Sequence, residues 1–181
     1  MFNLSTQEVV LSIEKSPIRI VHGIIYQEYR DFFGKEFKLP ELQNKNFVKL
    51  ESQENLPRVR LDYNDEVMKN IKIFFMNSNI TEALEKKFNT ELQFNSADIW
   101  IDNKGYKLDP HTDDGRIKLS LQIYLSDNNE GTSLYDKDGN MQYTFPFKFN
   151  SGYALYNGVY SHHGVEEVEN DGRLSLYVRY Q

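Results

Sequence analysis

The stretch His111-Thr112-Asp113 places two side chains that commonly bind metals two positions apart. Successive side chains of a β-strand point to opposite faces, so His111 and Asp113 can approach one point from the same face. A third ligand is available further along the chain, where His162 and His163 are adjacent. Strand alternation allows only one of these two histidines to join the site. The sequence therefore predicts a metal site built from two imidazoles and one carboxylate.

The chemistry of this ligand set is narrow. Two histidines and one carboxylate on one face of a metal form the arrangement of non-haem iron(II) oxygenases, which leaves positions open for substrate and dioxygen. The chain contains no cysteine. Disulfides, thiolate catalysis, iron–sulfur clusters and cysteine-ligated zinc are therefore excluded, and any metal must be held by nitrogen and oxygen ligands.

Two later segments have one apolar face and one polar face. In 117–126 the odd positions are aliphatic, and in 173–180 the even positions are mostly aliphatic. A half-exposed antiparallel sheet with its polar face in water would give this pattern. If helices cover the aliphatic faces instead, Tyr124, Arg173 and Ser175 would line a pocket near the metal site. An arginine fork flanked by hydroxyl groups suits a carboxylate, so this second interpretation suggests a dicarboxylate ligand.

The elements that must position these residues are mostly short strands. Beyond residue 90, strand-like runs separated by Gly, Asn and Asp cover 92–101, 106–112, 117–125, 131–135, 143–149, 152–156, 162–168 and 173–180. Strands at this spacing indicate a sandwich or barrel, and about eight of them fit a double-sheet jelly roll.

The first 90 residues have a mixed pattern. Strands are predicted at 18–26, 47–50 and 58–61. Residues 27–46 favour a helix followed by a loop. Between 65 and 88, apolar residues recur at helical spacing in two runs, and Asn79 is the predicted N-cap of the second helix. We expect these two helices to back a sheet and to carry no chemistry. The lone His22 is expected to be a surface or structural histidine.

The length predicts one folding unit. A chain of 181 residues is long enough for one domain with a substantial core and short for two. The predicted single domain, 1–181, has N-terminal strands and backing helices in 1–90 and a jelly-roll core with the metal site in 91–181. The predicted fold class is mainly β with helical backing, with a double-stranded β-helix (jelly roll) core and an N-terminal α/β cap.

The composition is that of a soluble globular protein, with 39% hydrophobic, 14% aromatic and 27% charged residues. The formal net charge of −6 argues against broad affinity for nucleic acid or membranes, although a local basic groove stays open as an alternative. The start of the chain lacks a basic stretch followed by an apolar run, and no later run is long enough to span a bilayer. A cytoplasmic location is therefore expected.

The order of these motifs resembles that of the iron(II)/2-oxoglutarate-dependent oxygenases. His111-Thr112-Asp113 matches the HxD element of that family, and His163-Gly164-Val165 matches the segment that carries its distal histidine. Arg173-Leu174-Ser175 is similar to the RxS element that binds the far carboxylate of 2-oxoglutarate. Tyr124-Leu125 and Gly131-Thr132 resemble the prolyl-hydroxylase-like branch. The resemblance covers roughly residues 95–181. Its His-Gly-Val match and the ten-residue step to Arg173 favour His163, which leaves His162 where the family often has an aromatic residue.

The resemblance implies an oxygenase with two bound cofactors. It assigns His111, Asp113 and His163 to iron(II), and Arg173, Ser175 and Tyr124 to the far carboxylate of 2-oxoglutarate. Dioxygen is the implied co-substrate, and ascorbate is expected to assist. The implied activity is a hydroxylase that couples decarboxylation of 2-oxoglutarate to C–H oxidation of a peptide side chain or a small metabolite.

Two alternatives use the same residues differently. One is a cupin-like zinc or manganese enzyme, hydrolytic or isomerising, in which Arg173 binds an anionic substrate directly. The other is a non-catalytic jelly-roll module that binds a metal or another ligand. Metal content and dependence on 2-oxoglutarate separate these alternatives from the oxygenase.

Overall fold

A computed structural model describes residues 4–39, 42 and 44–181. The helices are α1 (Thr6–Lys15), α2 (Glu66–Phe75) and α3 (Ser78–Phe88), and a short 3-10 helix covers Glu51–Gln53. The strands are β1 (Ile18–Val21), β2 (Ile24–Tyr29), β3 (Phe47–Val48), β4 (Arg58–Leu61), β5 (Phe94–Asp102), β6 (Leu108–His111), β7 (Leu119–Tyr124), β8 (Thr132–Tyr135), β9 (Met141–Thr144), β10 (Gly152–Tyr156), β11 (His163–Val165) and β12 (Arg173–Tyr180).

The strands form two antiparallel sheets. The major sheet has the order β1-β2-β10-β7-β12-β5-β4-β3, and the minor sheet has the order β6-β11-β8-β9. The centre of the major sheet comes from the later part of the chain, while the four N-terminal strands extend its two edges. The chain is therefore mainly β, as predicted, and its N-terminal strands belong to the same sheet as the predicted core.

The three helices cover the aliphatic face of the major sheet. One apolar core contains Val9 and Ile13 of α1, Ile71 and Phe75 of α2, Ile80 and Leu84 of α3, Leu121 and Ile123 of β7, and Leu176 and Val178 of β12. Because the helices occupy this face, the polar residues of β7 and β12 point toward the minor sheet. Gln122, Tyr124, Arg173 and Ser175 are accordingly buried. The helices therefore cover the aliphatic faces, as the second interpretation expected, and the half-exposed sheet is wrong.

Among the described residues, no helix has the length and apolar character needed to cross a membrane.

The helix predicted within 27–46 is wrong. Residues 27–29 continue β2, where Gly152 of β10 pairs with Tyr29. The chain then turns through Asp31 and Gly34, whose φ angles are 51° and 89°. These left-handed conformations are incompatible with a continuous α-helix. The described residues of 30–46 contain no helix, and 40, 41 and 43 lie outside the described residues.

Several further boundaries differ from the prediction, and the strand predicted at 18–26 is two strands, β1 and β2, joined by a turn at His22 and Gly23. The N-cap of α3 is Asn77, whose side chain accepts a hydrogen bond from the backbone N–H of Asn79, so the cap lies two residues earlier than expected. The strand predicted at 143–149 ends at Thr144. Pro146 explains this early end, because it has no N–H to offer to a sheet.

Candidate metal centre

Two neighbouring strands of the minor sheet bring His111 and His163 together. The two residues are direct partners in the β6–β11 pairing, and their ring centroids are 4.5 Å apart. Nδ1 of His111 lies 3.0 Å from the backbone oxygen of Asp109, and Nδ1 of His163 lies 2.9 Å from that of Ser161. A carbonyl oxygen only accepts, so each neutral ring carries its hydrogen on Nδ1 and leaves the Nε2 lone pair free for a metal.

Asp113 is positioned by hydrogen bonds and not by a strand, since β6 ends at His111. Its Oδ2 accepts from the hydroxyl of Ser120 at 2.5 Å, the hydroxyl of Tyr177 at 2.7 Å and the amide of Asn157 at 3.2 Å. Three donors on one oxygen fix the orientation of the carboxylate. The other oxygen, Oδ1, is thereby directed toward the two histidines.

The three ligand atoms are close enough to share one ion. Oδ1 of Asp113 lies 3.9 Å from Nε2 of His111 and 3.7 Å from Nε2 of His163, and all three atoms lie within 4.8 Å of one another. A first-row ion such as zinc binds these atoms at about 2.0–2.2 Å, so ligands on one face of the ion are about 3.0–3.5 Å apart. The triad would therefore have to contract by up to about 1–2 Å to bind one ion.

The electrostatics of the triad favour the protonation states that bind a metal. Burial alone would raise the pKa of Asp113, but nearby His163 and the hydrogen bonds from Ser120 and Tyr177 lower it below its ordinary value. Burial lowers the pKa of His163, against a smaller opposing effect of Asp113. A carboxylate and a neutral imidazole are both ready ligands.

Gly164 allows the two histidine strands to approach closely. A Cβ at this position would lie 2.6 Å from the backbone oxygen of Leu108. Gly164→Ala is therefore expected to push β6 away from β11, to separate His111 from His163 and to weaken metal binding about tenfold or more. Iron(II) titration under nitrogen measures this, with Gly158→Ala as the control because a Cβ there meets nothing within 4 Å. Equal iron affinity in the two variants would contradict this account of the glycine.

The hydroxyl of Tyr177 is expected to tune the metal through Asp113. Tyr177→Phe removes one of three donors to Oδ2 while the ring stays in place, so we expect iron(II) affinity to fall about 10-fold, within the range seen for outer partners of metal ligands. Tyr180→Phe is the matched control. Its hydroxyl donates to the backbone oxygen of Phe75 on the helix side of the sheet. A similar loss of affinity in both variants would show a general stability effect.

A buried arginine lies in the same cavity as the triad. Arg173 is fully buried, and its Nη1 donates to Oδ2 of Asp102 at 2.5 Å. Its Nε donates to the backbone oxygen of Glu130 at 2.8 Å, and its Nη2 lies 3.3 Å from Oγ1 of Thr132. These contacts fix the guanidinium plane, which stacks over the ring of Phe147 at 4.5 Å.

A second arginine shares the same carboxylate. Nε of Arg58 lies 2.8 Å from Oδ1 of Asp102, an ion pair without the alignment of a hydrogen bond. The guanidinium carbon of Arg58 lies 4.3 Å from the ring centroid of Trp100 and 4.5 Å from that of Tyr106. Two arginines against one carboxylate leave this end of the cavity with an excess positive charge. The same cavity, of about 230 Å³, is therefore lined by the candidate metal ligands and by this cationic group.

Tyr124 and Ser175 lie behind that wall. Ser175 Oγ accepts a hydrogen bond from Nε2 of Gln122 at 3.2 Å, and the hydroxyl of Tyr124 lies 3.4 Å from the backbone N–H of Thr132. Gln122 and Thr132 line the cavity, whereas Tyr124 and Ser175 do not line it and contact these two residues through the hydrogen bonds above. Of the six residues in the predicted site, the structure thus places four on the cavity wall: His111, Asp113, His163 and Arg173.

The neighbouring His162 is separate from the triad. Its Nδ1 is buried and has no hydrogen-bond partner among the described residues, and its ring is not part of the ligand group. His22 lies in the turn between β1 and β2 with a φ of 47°, and is likewise not part of that group. Adjacent side chains of a strand point to opposite faces, which explains why His162 is outside the ligand group while His163 is part of it.

No family model matches the sequence, and a comparison with curated proteins finds no match. Solved structures do match. A prolyl-4-hydroxylase from Pseudomonas putida has a TM-score of 0.59 at 14% identity, covering 98% of this chain and 98% of its own. A prolyl hydroxylase from Trichoplax adhaerens, in complex with a hypoxia inducible factor peptide, has a TM-score of 0.62 at 13% identity, with coverage of 97% and 88%.

HygX from Streptomyces hygroscopicus, solved with nickel, 2-oxoglutarate and hygromycin B, has a TM-score of 0.59 at 12% identity, with coverage of 86% and 82%. At such identities the likeness establishes the fold. This chain has the double-stranded β-helix fold of the 2-oxoglutarate–iron(II) oxygenases, prolyl 4-hydroxylases among them. The predicted jelly roll and the resemblance drawn from the motifs are confirmed at the level of the fold.

Proposed function

We propose that the protein is an iron(II)/2-oxoglutarate-dependent dioxygenase that hydroxylates a C–H bond of its substrate. The observation that carries this proposal is the pairing of two features in one cavity. Two histidine Nε2 atoms and one carboxylate oxygen converge within 4.8 Å, and the buried Arg173 lies on the same wall with an excess of positive charge around it. Such a cavity suits a metal ion together with an anion that has two acidic ends.

The ligand set fits iron(II) chemically. His111, Asp113 and His163 would hold the ion through nitrogen and oxygen atoms, and three protein ligands leave open positions. The Nδ1 hydrogen bonds of both imidazoles and the three donors on Asp113 already orient these ligands. A metal added to this site therefore requires the contraction of the triad and little other reorganisation of side chains.

The other end of the cavity fits the far carboxylate of 2-oxoglutarate. Arg173 would receive it, because its fork is planar and is fixed by Asp102 and Glu130. Thr132 adds a hydroxyl at the surface of the cavity. Ser175 and Tyr124 support this end from behind, through Gln122 and the backbone of Thr132.

When bound, iron(II) and 2-oxoglutarate supply the oxidative chemistry, in which dioxygen gives one oxygen atom to succinate and one to the substrate while carbon dioxide leaves. The protein contributes orientation and electrostatics. The burial of His163 excludes water from one side of the site, and the partial exposure of His111 leaves the other side accessible to a substrate.

The substrate is a peptide side chain or a small molecule. Structures with this fold include one in complex with a peptide and one with hygromycin B, so the fold accommodates either class. We also propose that residues 1–181 form a single domain and that the protein is cytoplasmic. Ascorbate is expected to support repeated turnover.

Anaerobic spectroscopy tests the proposal without knowledge of the substrate. Iron(II) and 2-oxoglutarate are added to the purified protein under nitrogen, and a visible charge-transfer band is expected only when both are present. Admission of air should then release succinate slowly. Metal binding without a band would contradict the oxygenase and would favour the cupin-like zinc or manganese enzyme or a non-catalytic binding module.

A further inference from the structure

A second cationic cluster lies on β4, β5 and β12 of the major sheet, next to the metal cavity that Arg179 lines. Arg60 of β4 and Arg179 of β12 both bind the buried carboxylate of Asp98 on β5. Each uses a different oxygen, since Nη1 of Arg60 lies 3.5 Å from Oδ1 and Nη2 of Arg179 lies 3.0 Å from Oδ2. Nε of Arg179 also donates to Oγ of Ser96 at 2.9 Å. The two guanidinium groups are therefore fixed in place around one anion.

This cluster carries more positive than negative charge. The ring of Tyr63 has the guanidinium carbon of Arg60 at 3.7 Å and the ammonium of Lys72 at 3.6 Å from its centroid. Three cations thus surround one carboxylate, and no other acidic residue in the described part of the chain forms an ion pair with them. Burial lowers the pKa of Lys72, and Arg60 lowers it further against the opposing effect of Asp98. The excess charge stands out on a chain whose net charge is −6.

The cluster also retains free hydrogen-bond donors. A guanidinium has five N–H donors, and Asp98 and Ser96 use only some of them. Nε of Arg60 is buried and has no hydrogen-bond partner among the residues that the structure describes. A buried donor without a partner costs free energy unless a ligand supplies an acceptor. An incoming anion would satisfy such donors without displacing Asp98.

The cluster is close enough to the candidate metal to act on a substrate bound there. Arg179 lines the metal cavity and is about one third exposed at its side chain. Its guanidinium carbon lies 5.6 Å from the ring centroid of Tyr177, whose hydroxyl donates to Asp113. The arginine end that suits 2-oxoglutarate lies six residues earlier on the same inward face of β12, at Arg173. The cavity thus has a further cationic residue, Arg179, and Arg60, which does not line the cavity, shares Asp98 with it.

We propose that the substrate of this site carries an anionic group, a carboxylate, phosphate or sulfate, which is bound by Arg179, with the charge of Arg60 adding to the attraction across the shared Asp98. That the bound anion belongs to a substrate rests on the proposed function, whereas the anion site itself does not. An oxygenase with one dianionic co-substrate requires one cationic group for it, and Arg173 with Arg58 serves that need. The second group, Arg179 with Arg60, then discriminates between substrates with and without an anionic end.

Calorimetric titration with inorganic sulfate tests the anion site. Manganese(II) and 2-oxoglutarate are kept saturating, so that the Arg173 end is occupied, and ionic strength is held constant with chloride. Sulfate is expected to bind saturably and to change the fluorescence of Trp100, the one tryptophan of the chain, which lies 5.9 Å from the guanidinium carbon of Arg60. Arg179→Gln should weaken sulfate binding about tenfold or more, because it removes a charged donor from the site.

Arg116→Gln is the matched control. It makes the same change in net charge at an exposed arginine that pairs with Asp114 in a surface turn, and sulfate affinity should stay within about twofold. Arg179→Lys keeps a positive charge beside Asp98, so this variant is expected to fold even if Arg179→Gln does not. Its affinity for sulfate should be intermediate. Thermal unfolding confirms that each variant is folded before titration.

The outcomes separate the anion site from the proposed activity. Absence of saturable sulfate binding, or equal affinity in the Arg179→Gln and Arg116→Gln proteins, would overturn the inference. Sulfate binding that disappears once 2-oxoglutarate is saturating would also overturn it, because the anion would then occupy the Arg173 end. If the protein fails to bind 2-oxoglutarate, the proposed function falls, and the same titration without it still tests the anion site.

Discussion

Replacing His163 with alanine is expected to abolish 2-oxoglutarate turnover and to weaken iron(II) binding at least about hundredfold. The change removes one of three ligands, and the loss of even an outer partner of a metal ligand costs about 10–100-fold in affinity. His163 is 5% exposed, and its Nε2 lies 3.7 Å from Oδ1 of Asp113. Iron(II) titration under nitrogen and succinate release in air measure the two effects.

His162→Ala is the matched control for this prediction. It makes the same substitution one residue away, on a side chain outside the ligand group, so iron affinity should stay within about threefold. Because Nδ1 of His162 is buried without a partner among the described residues, this variant is also expected to fold. If His162→Ala abolishes iron binding and His163→Ala is tolerated, our choice between the two histidines is wrong.

The faces of the sheet could be predicted from the sequence because alternation is a local property. The odd aliphatic positions of β7 and the even ones of β12 are visible without a structure, and both sets lie under the helices. The helix α1, which was not predicted, also has a local sequence signal. Ser5 accepts a hydrogen bond from the N–H of Glu8, and a serine three residues before a glutamate is the pattern of a capping box.

The surroundings of Asp113 could not be predicted in the same way. Ser120, Asn157 and Tyr177 come from separate parts of the chain, and they meet only because β7 lies between β10 and β12 in the major sheet. The register of these pairings is a tertiary property. A partial signal existed for Tyr177, because it shares the polar face of β12 with Arg173 and Ser175.

The position of Asp102 between two arginines could not be predicted from the sequence for the same reason. In the pairing of β4, β5 and β12, Arg58, Asp102 and Arg173 lie in one row across three strands. Nothing in the sequence near Arg58 identifies this neighbour. The N-terminal strand β4 therefore contributes a residue, Arg58, directly to the cavity.

Removing the charge of Arg173 is expected to weaken 2-oxoglutarate binding about 30-fold or more while leaving iron(II) affinity nearly unchanged. A charged hydrogen-bonded pair in a buried site is worth about 2–5 kcal/mol, and this fold-change lies at the lower end of that range. Arg173→Gln alone would leave Asp102 buried with only Arg58 as its partner, which destabilises the fold. The informative protein is therefore the double variant Arg173→Gln/Asp102→Asn, which removes the charges of Arg173 and Asp102 together and leaves Arg58 without an ion pair but still stacked on Trp100 and Tyr106.

The double variant separates a binding role of Arg173 from a structural one. If the arginine binds the far carboxylate, the double variant should unfold near the wild-type temperature, bind iron(II) within about threefold and still need much more 2-oxoglutarate to form the charge-transfer band. If the arginine only neutralises Asp102, removing both charges should restore 2-oxoglutarate affinity along with stability. Parallel losses of iron(II) and 2-oxoglutarate affinity would instead show that Arg173 supports the metal site through the sheet. These three patterns differ in which of the two dissociation constants changes, so one pair of titrations distinguishes them.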